Sequence, residues 1–304
     1  RVRCDSVTIA VDELPFAPAY PSQGRMFETP RAWIERNLPI APKQGGAICR
    51  IRYKNPQIRL DRVLRDRILQ PGPALIIVLK GRQGAGVSTW TECRGYERVR
   101  RHHGIRAAIV GNDSENAQHL YEMFKLFHEN DPGAPPTVKN NFKGVHFAEP
   151  HGSDVLVTTA EKRTAGTGHT TQFLHISELA KWTDAKTTMA SLMQTCVAER
   201  GSIAIVESTA YGAGGYFFDL WRDAVAGKNQ WVPVFIPWHE MEDFRMPVGT
   251  CDLDDLGRHE RYNAWEDEEL MLQSLHGCDL EQLTWRRYCL DNMCGGDLNI
   301  LHQE

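Results

Sequence analysis

The most constraining feature of this sequence is a glycine-rich loop that directly follows a short apolar run. The run ALIIVL at 74–79 has the length and composition of a buried β-strand. It leads into the loop Lys80-Gly81-Arg82-Gln83-Gly84-Ala85-Gly86-Val87-Ser88-Thr89, where Gly81 and Gly86 have the spacing G-x-x-x-x-G. Backbone N–H groups of such a loop, and the N-terminus of the helix behind it, bind phosphate oxygens. We therefore predict a phosphate site over residues 80–89, with the Ser88 hydroxyl placed to bind magnesium.

The loop departs from the usual phosphate-binding motif at one position. The pattern G-x-x-x-x-G-K-[ST] has lysine before the hydroxyl residue, whereas this chain has Val87. Lys80 and Arg82 lie just upstream, so we expect one of them to supply the phosphate cation. Arg82 is the favoured candidate, because a guanidinium can bind phosphate through two hydrogen bonds.

Segments of strand and helix character alternate along the chain, which favours a mostly parallel sheet with helices on both faces. Strands are predicted at 74–80, 105–110, 145–148, 154–160, 171–176, 202–207 and 231–236, and helices at 56–70, 88–101, 113–129, 184–198, 214–226 and 279–293. The predicted fold class is therefore α/β. We divide the chain into an N-terminal arm at 1–45, a core at 46–236 and a small helical lid or linker subdomain at 237–304.

Charge and hydropathy limit the partners of the chain. Its 304 residues include 35 Lys and Arg against 39 Asp and Glu, a net charge of −4, so any contact with DNA requires a local basic patch. No window approaches the ~18 uninterrupted apolar residues of a membrane span, and no membrane partner is expected. Candidate DNA contacts are Arg94, Arg98, Arg100, Arg101 and the run Trp285-Arg286-Arg287. For the four arginines at 94–101, a solvated helix face is the favoured alternative. For 285–287, the favoured alternative is a packed Trp285 with arginines on the surface. The acidic residues of 252–269 are likewise expected to form a solvated face rather than a metal site.

A second polar element follows the predicted strand at 171–176. Ser177 and Glu178 come directly after this strand, at a position where nucleotide hydrolases place a magnesium ligand and a residue that activates water. Ser177 replaces the usual Asp and can hold magnesium through a water molecule. Glu178 is the predicted general base; the alternative is an acid that stabilises a helix N-terminus.

A third polar element follows the predicted strand at 202–207. Ser208 and Thr209 are candidates for contact with the γ-phosphate. By spacing alone, hydroxyl caps of a strand-to-loop turn explain them better.

Taken in order, these motifs resemble those of the large terminase subunits of tailed bacteriophages. Lys-Gly-Arg-Gln followed by Gly-Val-Ser-Thr is similar to their deviant Walker A motif, Ile-Ser-Glu-Leu-Ala-Lys-Trp (176–182) to their Walker B motif, and Glu-Ser-Thr-Ala-Tyr-Gly (207–212) to their coupling motif. The resemblance continues through 234–238, 283–287 and 302–304, and covers residues 50–304. The loop has one residue more than the family's pattern. Thr167 stands where the family often has arginine, with Arg163 nearby.

The resemblance implies a P-loop NTPase of the RecA-like (ASCE) type that binds ATP and Mg²⁺. The implied enzyme is an ATP hydrolase that moves double-stranded DNA into a viral procapsid. Its implied partners are DNA, a portal protein, the small terminase subunit and further copies of itself in a ring. Its implied location is the host cell cytoplasm, outside the mature virion. The family's nuclease domain would begin about where this sequence ends, so no nuclease activity is expected.

The resemblance also assigns adenine recognition to a glutamine upstream of the loop, for which Gln57 is the best candidate. An exposed polar residue at a helix start explains Gln57 equally well. Two other functions stay open. Val87 and Ser177 favour a degenerate nucleotide-binding scaffold that does not hydrolyse ATP. A helicase-like P-loop ATPase would need downstream helicase motifs, and we find none.

Overall fold

The computed structural model describes residues 28–42, 45–81, 85–161, 170–251 and 263–303, with the backbone alone for 263–267 and 302–303. Its strands are β1 (Pro39–Ile40), β2 (Cys49–Arg50), β3 (Ala74–Lys80), β4 (Arg106–Gly111), β5 (Thr137–Asn141), β6 (Gly144–Phe147), β7 (Asp154–Thr159), β8 (Phe173–Ser177), β9 (Ile203–Ser208) and β10 (Val232–Ile236). Its α-helices are α1 (Pro30–Asn37), α2 (Asn55–Ile68), α3 (Val87–Arg101), α4 (Ser114–Glu129), α5 (Ala185–Thr195), α6 (Gly215–Val225), α7 (Asn263–His276), α8 (Leu280–Asn292) and α9 (Leu298–Gln303). No helix of these segments is both long enough and apolar enough to span a membrane.

The main sheet has the strand order β10-β3-β9-β8-β4-β7-β6-β5 in the part of the chain described. Neighbouring strands run parallel from β10 to β7, while β6 and β5 add an antiparallel edge. Strand β9 lies between β3, which leads into the glycine loop, and β8, which ends in Ser177. The carboxyl ends of these three strands therefore meet at one edge of the sheet, where open α/β sheets bind their ligands.

Alternating residues of each strand form two apolar layers, one on each face of the sheet. On β3, Ile76 and Val78 join the layer that includes residues of α1 to α4, whereas Leu75 and Ile77 join the layer that includes residues of α5 and α6. Both faces are covered by helices, as the sequence predicts, and the predicted α/β class with a mostly parallel sheet is confirmed.

Helix α1 lies within the segment predicted as an N-terminal arm, residues 1–45. The Thr29 side chain accepts a hydrogen bond from the Ala32 N–H, and Pro30 is the first residue of the helix. Both residue types are favoured at these positions of a helix N-terminus. Trp33 and Ile34 are buried in the core, and Trp33 stacks on Tyr96 of α3. This short helix is thus part of the packed domain, while residues 1–27 lie outside those described.

The last helices pack through aromatic and charged contacts. The ring of Trp285 on α8 lies 4.2 Å from Phe244 and 5.3 Å from Trp238, centroid to centroid, so the prediction of a packed Trp is confirmed. The prediction that its neighbours are surface arginines is wrong for Arg286, which is 0% exposed and forms ion pairs with Glu268 and Glu269. Glu269 is also buried, so it does not belong to a solvated acidic face. Residues 252–262 of the acidic segment lie outside those described.

Candidate functional site

Strand alternation places four polar side chains on the sheet face that α3 covers. Lys80 continues the side of β3 that carries Ile76 and Val78, and His175 and Ser177 share one side of β8. Glu207 continues the side of β9 that carries Ile205, and it lies opposite Ser177 in the register of the two strands. The parallel pairing thus brings an ammonium, an imidazole, a hydroxyl and a carboxylate together beneath α3.

Helix α3 begins behind the glycine loop and adds a second hydroxyl to this group. Gly86 precedes the helix with φ of 58°, in the left-handed region that favours glycine. Ser88 lies in the first turn, and its Oγ donates a hydrogen bond to Glu207 Oε1 at 2.9 Å. Ser177 Oγ donates to the same oxygen at 2.8 Å. One carboxylate oxygen therefore accepts from the glycine-loop serine and from the serine that ends β8.

Lys80 joins the two acidic side chains of the site. Its Nζ donates to Glu178 Oε1 at 3.0 Å and lies 2.9 Å from Glu207 Oε2. Burial lowers the pKa of Lys80, but the two carboxylates outweigh this and raise it above its ordinary value. Burial likewise raises the pKa of Glu207, yet Lys80 and His175 hold it well below the ordinary range. Lys80 and Glu207 therefore form a charged pair in the interior.

Glu178 has the left-handed backbone conformation, with φ of 54° and ψ of 44°, and no other non-glycine residue of the described segments has positive φ. Its N–H donates to the Glu207 carbonyl at 2.8 Å, and its carbonyl accepts from the Lys181 N–H at 2.9 Å. Such conformations cost about 1–3 kcal/mol and concentrate at functional sites. This turn holds the carboxylate of Glu178 at the carboxyl edge of the sheet.

A buried imidazole closes the inner side of the site. His175 Nδ1 lies 2.5 Å from Glu92 Oε1 of α3, and Nε2 lies 3.4 Å from Glu207 Oε1. Burial lowers the pKa of His175, but its contacts with Glu207 and Glu92 outweigh burial and raise the pKa to about 9. His175 is therefore protonated at neutral pH and links the two glutamates.

A cavity of about 770 Å³ opens at this edge of the sheet, a volume within the usual range for small-molecule sites. The predicted site residues Lys80, Ala85, Gly86, Val87, Ser88, Thr89 and Glu178 line it. Asp113, Asn116 and His119 of the α4 region form part of the wall. Gly81 begins the loop, and its N–H donates to the Ile236 carbonyl. The structure thus brings seven of the predicted site residues to one cavity.

Four predicted residues lie behind the cavity wall. Gln57 Nε2 donates to the Gly86 carbonyl at 3.0 Å, and its Oε1 accepts from the Lys54 N–H, so this amide braces the glycine loop. Ser177 is 1% exposed and bonded to Glu207. Ser208 Oγ accepts from the Ala180 N–H, and it is buried. Thr209, next in the chain, is also buried and is not among the residues that line the cavity. The roles of these residues toward adenine, magnesium and the γ-phosphate stay predictions.

Several predicted residues fall outside the segments that the structure describes. They are Arg82, Gln83 and Gly84 of the glycine loop, together with Thr167, which stands where the large terminases often have arginine, and the nearby Arg163. Their roles also stay predictions.

Sequence reasoning missed Glu207, His175 and Glu92 as members of the site. Glu207 belongs to the segment 207–212 that resembles the coupling motif, but only Ser208 and Thr209 of that segment were predicted to contact the nucleotide. The sequence does carry a signal for Glu207, which directly follows the apolar run Ile203–Val206 and continues the same strand. A glutamate buried in such a strand must be paired. Its partners come from three distant segments, which the sequence alone does not bring together.

The arginines of α3 are not a solvated face. Arg94 and Arg98 are buried, and Arg98 donates to the Gly201 carbonyl. Arg100 pairs with Asp131 at 2.6 Å and Arg101 with Glu97 at 2.8 Å. These arginines therefore form internal ion pairs and hydrogen bonds, whereas the sequence suggested either DNA contacts or a solvated helix face.

Comparison with known proteins gives structural relatives only. No family model matches the chain, and no curated protein matches its sequence. The large terminase of bacteriophage HK97 superposes with a TM-score of 0.54 and 13% identity, over 84% of this chain and 54% of that one. A large terminase from a thermophilic bacteriophage gives a TM-score of 0.48 and 10% identity over 61% and 46% of the two chains. A DEAD box protein from the hyperthermophile Methanococcus jannaschii gives 0.41 and 15% over 61% and 49%.

The present chain spans about half the length of the two large terminases. The match to the HK97 protein agrees with the family resemblance of the ordered motifs and, at this identity, concerns the fold. The chain therefore has the fold of the HK97 large terminase, a mostly parallel sheet with helices on both faces.

Proposed function

We propose that this chain is the ATPase domain of a viral DNA-packaging motor, which hydrolyses ATP in the cavity beside the glycine loop. The observation that carries the proposal is the convergence of Ser88, Lys80 and Glu178 on that cavity. These residues come from the start of α3, the end of β3 and the turn after β8. A hydroxyl, a cation and a carboxylate in one cavity are the groups that phosphoryl transfer to water requires.

Each side chain has a definite task in this proposal. The loop N–H groups and the N-terminus of α3 bind the phosphates. Lys80, charged because of its two carboxylate neighbours, can turn one hydrogen bond toward a phosphate oxygen that enters the cavity. Glu178 orients the attacking water and accepts its proton. A magnesium ion bound by Ser88 would neutralise the phosphate charge.

The motor function rests on the order of motifs and on the fold shared with the HK97 large terminase. In this proposal the domain acts on double-stranded DNA as a ring assembled on a portal, together with a small terminase subunit, in the host cytoplasm. DNA contacts to phosphate rather than to bases suit a motor that moves any sequence.

A nucleotide-binding scaffold without hydrolysis is the second candidate, and one observation favours it. Lys80 is held between Glu178 and Glu207, and Val87 and Ser177 replace two charged residues of the common motifs. A scaffold of this kind would bind ATP and retain it.

Phosphate release by Glu178→Gln separates the two candidates. For a hydrolase we expect this variant to bind ATP as the wild type does but to turn it over at least ~10²-fold more slowly. Glu199→Gln is the matched control, because Glu199 is exposed and outside the cavity wall. Turnover by the wild type should rise with added DNA. Equal release by wild type and Glu178→Gln would contradict the assignment of the base, and ATP binding with no wild-type release would favour the scaffold.

A further inference from the structure

We infer that Glu207 supplies the carboxylate of the magnesium site from β9, in place of the aspartate that P-loop ATPases carry at the end of the Walker B strand. This inference rests on the proposed ATPase function. Glu207 acts through Ser88 and is therefore a positioning residue. The carboxylate has moved from the position of Ser177 to the strand beside it.

Hydrogen-bond direction carries the first step. The Ser88 hydroxyl has one proton, which it donates to Glu207 Oε1 at 2.9 Å. Its lone pairs are then free to face the cavity that Ser88 lines. A metal ligand oriented by an outer carboxylate in this way is the usual arrangement at protein metal sites. Without that acceptor, the hydroxyl can rotate its proton toward the position of the cation.

Strand register carries the second step. Ser177 lies directly opposite Glu207, and the 2.8 Å hydrogen bond between them means that the two side chains share one small space. An aspartate at 177 would put a carboxylate oxygen beside Glu207 Oε1, the atom that accepts from both serines. Ser177 is neutral and cannot supply the negative charge expected beside the Ser88 hydroxyl. That charge is present, but it comes from Glu207 on the neighbouring strand.

Charge and burial carry the third step. Glu207 is 0% exposed, and an ionised carboxylate is expensive to bury without partners. Lys80 and His175 provide positive charge on two sides, and the two serines provide hydrogen bonds. The carboxylate is thereby kept ionised and aimed at Ser88. If Lys80 turned toward a phosphate, the negative charge of Glu207 would be less neutralised and would attract a cation held by Ser88 more strongly.

A purely structural role for Glu207, as counter-ion of Lys80 and His175, is the competing explanation. It predicts that a carboxylate moved to position 177 has no particular effect on metal binding. Our inference predicts that such a carboxylate restores it, because position 177 reaches the same hydroxyl.

The test measures Mn²⁺ affinity by electron paramagnetic resonance, with and without a non-hydrolysable ATP analogue, on the full chain. We expect Glu207→Gln to weaken Mn²⁺ binding in the presence of the analogue by ~10–100-fold. The double variant Ser177→Asp with Glu207→Gln should recover most of that loss. Glu97→Gln is the control, because Glu97 is a buried, ion-paired carboxylate of the same helix as Ser88 but lies away from the cavity. It should leave Mn²⁺ affinity unchanged.

The outcomes separate this inference from the proposed function. Unchanged Mn²⁺ affinity in Glu207→Gln overturns the inference, and so does a loss that the double variant fails to restore. If Glu207→Gln alone does not fold, the double variant decides, because it keeps the number of carboxylates. A Mn²⁺ affinity of the double variant near that of the wild type supports the inference, and a weak Mn²⁺ affinity overturns it. A wild type that binds neither the analogue nor the metal with it refutes the ATPase proposal, and the inference with it.

Discussion

Lys80 is the residue on which the charge balance of the site depends. It is 10% exposed in its side chain and lies between Glu178 and Glu207. Removing one partner of a buried ion pair leaves the others uncompensated, which costs about 3–5 kcal/mol. Lys80 therefore stabilises the folded state, and it also lines the cavity where the glycine loop predicts a phosphate site.

The first prediction compares Lys80→Ala with Arg82→Ala. Lys80→Ala should lower the free energy of unfolding by about 3 kcal/mol, because two carboxylates lose their counter-ion. Arg82→Ala should abolish ATP turnover while the protein stays folded, if Arg82 is the phosphate cation favoured by the sequence. Urea unfolding and phosphate release measure the two effects. Near-native turnover of Arg82→Ala would leave Lys80 as the phosphate cation.

Gly86 is the residue that joins the loop to α3, and its substitution tests the loop at the scale of the element. An added Cβ would lie 2.6 Å from Gln57 Nε2, and φ of 58° strains any other residue. Gly86→Ala should cost at least ~1–2 kcal/mol of stability and weaken ATP binding, because the helix start and its brace must shift. Gly104→Ala is the matched control, with φ of 65° and no atom within 4 Å of its Cβ.

Gly104→Ala shares the backbone strain but not the clash. It should destabilise the protein by about 1 kcal/mol and leave nucleotide affinity unchanged. Equal nucleotide affinities of the two variants would show that the contact of Gln57 with Gly86 has no part in shaping the site.

The packing of α3 on β8 should depend on pH through His175. The folded pKa of about 9 exceeds the ordinary value of 6.5, so the stabilising charge is fully present below about pH 6.5 and is lost as pH rises through 9. The difference corresponds to about 3 kcal/mol. The stability gap between wild type and His175→Gln should therefore shrink from pH 6.5 to pH 10 in urea unfolding. A gap that is constant over this range would contradict a protonated His175.

Element types were predictable, but their lateral order was not. β3 and β8 were predictable because each is an apolar run that ends at glycine or at paired polar residues. Helix α4 (Ser114–Glu129) matches the helix predicted at 113–129 to within one residue. β5 was missed because its sequence TVKNN lacks an apolar alternation and all but its first residue are exposed. The insertion of β9 between β3 and β8 is a long-range pairing, and it alone brings Glu207 to Ser88 and Lys80. The site could therefore be predicted along the chain but not across the sheet.

At the scale of the whole molecule, net charge sets the expected affinity for DNA. The net charge is −4, and the arginines of α3 are committed to internal contacts such as Arg100 with Asp131. The isolated chain should therefore bind duplex DNA weakly, without sequence preference and with a steep loss on added salt. Arg100→Ala should destabilise the fold and leave the salt dependence of DNA binding by the folded protein unchanged, because this arginine is not a phosphate contact.

Assembly should supply the affinity that a single chain lacks. In a ring, every subunit would face the same duplex, so several weak phosphate contacts would act together at high effective concentration. We expect a free chain that sediments mostly as a monomer, with low ATPase activity, and turnover that rises when portal and DNA are added. Sedimentation and an ATPase titration with portal measure the two halves. A tight, sequence-specific complex between the lone chain and a short duplex at physiological salt would contradict this expectation, since it requires base contacts that a packaging motor does not need.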